Sequence, residues 1–191
     1  GDVSGVQGEF CDLRAFAVNE GDRLATTVQG ASREEIAQQC LGFAPSMAAY
    51  AASAGSKSSF ELIDDLHGWA ASTGVPAASL EGIAKVCLGV GYSSDNAEVA
   101  LASLLALIGL DQPGYSELLG YHLAFGFGFD GGENKESGAE WLDTASLSFA
   151  SGEQALNGQD GQSRAILASG MAGQLRGIPA FGVAPDVVPV S

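Results

Sequence analysis

The stretch from Ala97 to Leu110 constrains this chain most, because it is apolar except where Glu98 and Ser103 interrupt it. A transmembrane helix needs about 20 apolar residues, so the stretch is too short to cross a bilayer. Its apolar side chains recur at helical spacing and share one face, which comprises Ala97, Leu101, Leu104, Leu105 and Ile108. The pattern predicts a helix in the core of a folded protein.

Two capping signals predict where other helices begin. Ser32 with Glu35 and Ser58 with Glu61 have the spacing of a capping box, in which each side chain satisfies a backbone amide of the first turn. The helix after Ser32 is expected to run to about residue 54, and the helix after Ser58 places Phe60, Ile63, Leu66 and Ala70 on one apolar face. Further helices are expected over about 12–28, 79–92, 95–110, 113–125, 136–150 and 162–175.

Helices of this length joined by short turns pack as antiparallel neighbours. The sequence therefore predicts an all-α fold, with antiparallel helix pairs stacked as a short α/α superhelix or bundle. We expect one domain over residues 1–191, in which 1–10 form an extended lead, 30–152 form helix-pair repeats and 176–191 form an extended tail. Two segments suggest repetition, since Ile36–Gly42 and Ile83–Gly89 share five residues in seven at an offset of 47.

A longer pattern begins at Leu119-Gly120. Leu123, Gly126, Gly128 and Phe129 follow, and after them come Trp141, Leu142, Ala145 and Ser146. This pattern resembles the Sel-like repeat, a short tetratricopeptide-related unit, over residues 95–152. Leu123 stands where that repeat has an aromatic residue, and Thr144 stands where it has Lys. The resemblance implies a helical scaffold that binds proteins or peptides on a concave face.

The charge and the cysteines limit the function and the compartment. With 23 acidic residues against 8 basic ones the net charge is −15, so binding to nucleic acid or to an anionic membrane surface is disfavoured. Few lysines and a start at Gly1 without Met favour an exported bacterial protein, periplasmic or secreted. If Cys40 and Cys87 occupy equivalent helices about 8–10 Å apart, a disulfide cannot join them, so buried free thiols are expected, with a bond from Cys11 to either as the exception.

No catalytic motif is present, and the leading hypothesis is a non-catalytic module for protein–protein interaction or scaffolding, with an unknown protein or peptide partner and no cofactor. The expected groove-lining residues are Tyr115, His122, Phe125 and Trp141. The alternative is a helical enzyme or a small-ligand or metal-binding protein, with a site near Glu61, Asp64, His67 and His122.

Metal binding is a weak expectation. Glu61, Asp64 and His67 lie three residues apart on one predicted helix, and Asp130 and Glu133 lie in a Gly-rich loop where oxygen ligands could hold a cation. The same loop contains Gly126-x-Gly128-x-x-Gly131, which formally fits a dinucleotide-binding fingerprint. It follows a helix and not a strand, so a turn between helices is the preferred interpretation.

Overall fold

In the computed structural model, residues 4–178 are described, and they contain eight α-helices, one short 3₁₀ helix and no strand. The all-α prediction is confirmed. The helices are α1 (Ser4–Ala25), α2 (Arg33–Ser53), α3 (Ser59–Ser72), α4 (Ala77–Ser93), α5 (Ala97–Gly109), α6 (Ser116–Phe125), α7 (Lys135–Ala150) and α8 (Gly161–Leu175), with the 3₁₀ helix at Pro113–Tyr115.

Helix α5 occupies the centre of the fold. Every residue from Val99 to Gly109 is buried, on all sides of the helix, because α2, α3, α4 and α6 pack around it. A helix that is apolar all round is stable in water only when other elements cover its whole surface. The apolar stretch of the sequence therefore dictates the arrangement of its neighbours.

The helices form a closed bundle and not an open stack. Helix α1 packs mainly on α4 and also contacts α6 and α8, and α3 contacts α7. In a solenoid each unit contacts only its neighbours in sequence. The two echoing segments also have different surroundings, since Ile36 is 8% exposed and Ile83 is 49% exposed, while Leu41 is 46% exposed and Leu88 is 1% exposed.

The extended lead predicted for residues 1–10 is wrong for the part that the structure describes, because α1 begins at Ser4. Its buried residues Val6, Phe10, Leu13 and Ala17 recur at helical spacing on the face that packs against the bundle. This packing outweighs the low helix propensity of Gly5 and Gly8. At the other end, residues 176–178 follow α8 as a turn, and residues 179–191 of the expected tail lie outside the described residues.

Both predicted capping boxes are present. The Ser32 and Ser58 side chains accept hydrogen bonds from the amides of Glu35 and Glu61, whose carboxylates accept hydrogen bonds from the serine amides. The apolar face predicted for α3 is wrong in part, because Phe60 is 68% exposed while Ser59, Leu62 and Leu66 are buried.

Polar pairing explains this change of face. The Ser59 hydroxyl lies 2.8 Å from that of Thr144 on α7, and the Ser59 amide donates a hydrogen bond to Glu140. These hydrogen bonds satisfy the polar atoms of Ser59. Ser59 can therefore be buried against α7, while Phe60, which the apolar pattern predicted to be buried, is exposed.

Close helix crossings depend on glycine at particular positions. A Cβ atom on Gly91 of α4 would lie 2.5 Å from the Ala100 backbone nitrogen of α5, and one on Gly138 of α7 would lie 2.7 Å from the Gly120 carbonyl oxygen of α6. These contacts involve backbone atoms, which cannot move aside as a side chain can.

We expect Gly91→Ala to lower the free energy of unfolding by about 1–3 kcal/mol, because α4 must move away from α5. Gly82→Ala on the same helix is the matched control, since a Cβ there has nothing within 4 Å. That change is expected to raise stability by about 0.5–1 kcal/mol through helix propensity. Urea denaturation measures both, and equal effects would contradict this account of the crossing.

Candidate functional site

A groove of about 500 Å³ lies between α2, the start of α5 and the loop after α6. We call it the α2–α5 groove. One wall is an exposed stripe of apolar residues on α2, spaced three or four residues apart, namely Leu41, Pro45, Ala48 and Ala52. The other walls include Val99 and Ala102 of α5 and Phe129 of the loop.

Helix α2 is apolar on two faces, and only one of them is covered. Cys40 and Met47 are buried on the side that packs against the bundle, whereas the Leu41 to Ala52 stripe has no covering element in the described residues. Pro45 lies inside the helix and cannot donate the backbone hydrogen bond that the Leu41 carbonyl accepts in a regular helix. The groove wall thus offers apolar contact area.

The Gly-rich loop shapes the far wall of the groove. Gly126 ends α6 in the left-handed conformation, with φ of 68°, and the following Phe127 amide donates a hydrogen bond to the His122 carbonyl at 2.9 Å. Gly128 comes so close to Ala97 that a Cβ atom would lie 3.3 Å from it. The glycines therefore act as a turn between helices that brings Phe129 and Asp130 beside α5.

Two carboxylates give the groove a negative rim. Glu98, in the first turn of α5, and Asp130, in the loop, both line the groove and are exposed. Neither side chain has a hydrogen bond or an ion pair with any described residue. Unpaired carboxylates beside apolar surface favour cations over anions.

The groove-lining residues expected from the sequence are elsewhere. His122 and Trp141 are fully buried in the core, so that expectation is wrong for both. Phe125 is half-buried and stacks on Phe10, with ring centroids 6.0 Å apart. Tyr115 is 7% exposed and lines a different cavity. The α2 stripe could have been found from the sequence, because its spacing is visible once α2 is recognised as a helix.

His122 is held neutral by its surroundings. Its Nδ1 lies 2.8 Å from the Phe127 carbonyl oxygen and must donate to it, so Nε2 is the acceptor for the Tyr92 hydroxyl at 2.8 Å. Burial lowers the pKa of His122 to about 3, and the Arg14 charge also lowers this pKa. Its environment is that of a structural residue.

Arg14 covers this aromatic core at the surface. Its guanidinium lies 4.8–5.5 Å from the ring centroids of Phe10, Tyr92 and Phe127 and pairs with Asp95 at 3.2 Å. The charge is thus satisfied by cation–π contacts and a carboxylate.

The expected metal ligands do not form a site. Glu61 is bonded to Ser58 in the capping box, and His67 Nε2 lies 3.0 Å from Asp111 at the surface. His122 is buried, so it does not share a cavity with exposed His67 and Asp64. Glu133 lies 3.9 Å from Lys135, away from any cluster. Within residues 4–178, no group of three or more His, Cys, Asp or Glu residues has the arrangement to hold a metal ion.

Cys40 and Cys87 form a disulfide, so the expectation of buried free thiols is wrong. Their Cα atoms are 5.2 Å apart. The distance between two helix axes is larger than the distance between Cα atoms on their facing sides. Residues on facing sides each lie about 2.3 Å from their helix axis, so axes 8–10 Å apart allow Cα atoms about 5 Å apart. Cys11 is exposed and free.

A buried ion pair was not anticipated from the sequence. Arg164 of α8 and Glu117 of α6 are both buried, and the Arg164 Nε donates to Glu117 at 2.9 Å. Burial raises the pKa of Glu117, while Arg164 acts in the opposite direction. Arg164 Nη1 also donates to Glu9 and Gln159 at 2.9 Å each. This network joins three helices and has a structural role, as nothing in it opens onto the groove.

Comparison with known proteins gives no relative: no protein family, no curated protein and no solved structure matches the chain. No helix in the described part of the chain has the length and apolarity to span a membrane. The resemblance to the Sel-like repeat therefore remains a prediction, and function must be argued from the groove.

The disulfide predicts the alkylation pattern of the native protein. Without reductant, an alkylating reagent should modify only Cys11, and after reduction and unfolding it should modify all three cysteines, as mass spectrometry will show. The double variant Cys40→Ala/Cys87→Ala loses the cross-link between two residues that are 47 positions apart in the chain. This loss should lower the free energy of unfolding by about 4 kcal/mol. Modification of all three cysteines without reductant would contradict the bond.

His122 predicts a specific pH dependence of stability. In the unfolded chain this residue binds a proton below its ordinary pKa of 6.5, whereas the folded state lowers that pKa to about 3. The free energy of unfolding should therefore fall as pH decreases from about 6.5 to about 3, and between these two pKa values its slope approaches that of one proton. In His122→Gln, the change of the unfolding free energy with pH, measured by urea denaturation, should be smaller by the contribution of this one proton. An equal pH dependence in both proteins would contradict a neutral, buried His122.

Proposed function

We propose that this protein is a non-catalytic interaction module, and that the α2–α5 groove binds a basic, amphipathic segment of a partner protein. The observation that carries the proposal is the exposed apolar stripe on α2, which lines the same groove as two unpaired carboxylates. Apolar surface rimmed by polar residues is a feature of protein-binding sites.

The dimensions of the groove suit a helical segment. Leu41 to Ala52 spans about 16 Å of α2, which corresponds to about three helical turns of a partner lying along it. The small side chains of Ala48 and Ala52 allow a close approach. Amphipathic helices enter such grooves with apolar anchors three and four residues apart.

The negative charge of the groove and of the whole chain favours a basic partner. Glu98 and Asp130 lack partners at the rim, and the chain as a whole carries a net charge of −15. Lys or Arg residues flanking the apolar anchors would pair with these carboxylates and would be steered towards this surface.

The disulfide bond supports the proposal of an oxidising compartment. The Cys40–Cys87 disulfide joins α2, the wall of the groove, to α4. Structural disulfides persist outside the reducing cytosol, which supports the proposal that the protein works in the periplasm or outside the cell. The partner would then be an exported protein or an exposed segment of an envelope protein.

A model peptide of Leu and Lys, patterned as an amphipathic helix, tests the proposal by fluorescence anisotropy. It should bind the wild-type protein, and the same peptide with Glu in place of Lys should not. Ala48→Arg should weaken binding by about tenfold or more, because it fills the groove and repels the peptide. Ala49→Arg is the matched control, since Ala49 is an exposed neighbour on α2 that does not line the groove.

Three outcomes would overturn the proposal. The first is equal binding of the Lys and Glu peptides, and the second is an equal loss of affinity in Ala48→Arg and Ala49→Arg. The third is a stable dimer in sedimentation experiments that Ala48→Arg disrupts and Ala49→Arg does not, because a second copy of the chain would then occupy the groove.

A further inference from the structure

A second cavity, of about 420 Å³, shares no lining residue with the α2–α5 groove. It forms where α1, α4, the α5–α6 junction and the turn between α7 and α8 meet. We call it the Tyr115 cavity. Its walls combine the rings of Phe16 and Tyr115 with five polar side chains, namely Glu20, Lys85, Gln112, Glu153 and Gln154.

Tyr115 directs a free hydroxyl into this cavity. The residue is 7% exposed, yet its hydroxyl has no hydrogen bond to any described residue. Among the described residues, Ser116 is the one with a fully enclosed polar atom that lacks a partner, so the Tyr115 hydroxyl still reaches open space, which is the cavity that it lines. Burial raises the pKa of Tyr115, as do the carboxylates of Glu20 and Glu81, so the hydroxyl keeps its proton and is a donor.

Three further polar side chains in the wall lack partners. Gln112, Glu153 and Gln154 make no side-chain hydrogen bond within the described residues. The other charged groups are already paired: Glu20 accepts hydrogen bonds from Arg23 at 2.8 and 3.0 Å, and Lys85 lies 2.5 Å from Glu81. Glu153 therefore contributes the one charge in the wall that no neighbour balances.

From this arrangement we infer that the Tyr115 cavity binds a small organic monocation that carries hydroxyl groups, of the chemical class of an amino sugar. The ammonium group pairs with Glu153. The hydroxyl groups exchange hydrogen bonds with Tyr115, Gln112 and Gln154, whose amides both donate and accept. The apolar face of the ligand packs on the rings of Phe16 and Tyr115. The lining of the cavity is more polar than apolar, which suits a ligand with several hydroxyl groups.

Three sugars of similar shape and different charge test the inference by NMR titration: glucosamine, glucose and glucuronate. We expect glucosamine to bind most tightly, glucose more weakly and glucuronate not at all. Glu153→Gln should weaken glucosamine binding about tenfold or more and leave glucose unchanged, because it removes the charge and keeps the shape. Tyr115→Phe should weaken both glucosamine and glucose by about 3–10-fold, because it removes one neutral hydrogen bond.

The controls are Glu34→Gln, which removes a carboxylate from the exposed start of α2, and Tyr50→Phe, which removes a hydroxyl outside the cavity. Neither should change the binding of either sugar. The side chains of Glu153 and Tyr115 make no hydrogen bond in the described residues, so their variants should fold, and thermal denaturation verifies this.

The inference is overturned if glucosamine does not bind at up to about 50 mM. It is also overturned if glucose binds as tightly as glucosamine, or if Glu34→Gln has the same effect as Glu153→Gln. These outcomes do not depend on whether the α2–α5 groove binds a peptide, because the two sites share no residue.

Discussion

The burial of α5 from Val99 to Gly109 is the constraint on which the rest of the structure depends. A helix that is apolar on every side must be covered on every side, and α2, α3, α4 and α6 supply that cover. Close cover requires small residues at the contacts, which explains why Gly91 meets the Ala100 backbone of α5 and why Gly109 of α5 meets the Leu66 carbonyl of α3. The glycines are therefore part of the packing of the core as well as of the turns.

The covering helices need further ties, because apolar contact alone does not fix their positions. The Cys40–Cys87 disulfide joins α2 to α4 beside a small apolar cluster that includes Ile36 and Val99. Elsewhere in the bundle, Arg164 joins α8 to Glu117 of α6 and to Glu9 of α1. A buried ion pair contributes little net stability, since desolvation offsets the attraction, but it penalises arrangements that leave one charge unpaired. Both ties connect segments that are far apart in the chain.

The sequence was sufficient for whatever depends on local patterns. The capping boxes at Ser32 and Ser58 and the apolar period of α5 lie within single helices, and the structure confirms them. The start of α1, the buried face of α3 and the disulfide depend on which helices meet. Phe60 shows the difference: its spacing suits an apolar face, but the bonds from Ser59 to Glu140 and Thr144 turn the neighbouring face inward.

The same distinction explains why candidate site residues were harder to predict than the fold. Aromatic residues such as Trp141 and His122 are conspicuous in a sequence, and in this fold both are buried in the core. The surfaces that remain uncovered consist of residues that are common in any sequence, namely alanines on α2 and glutamines near Tyr115. They matter because no other element of the described structure covers them. An unpaired polar group or an uncovered apolar stripe is a property of the assembled bundle. The candidate binding surfaces of this protein are therefore formed by the groups that folding leaves without partners.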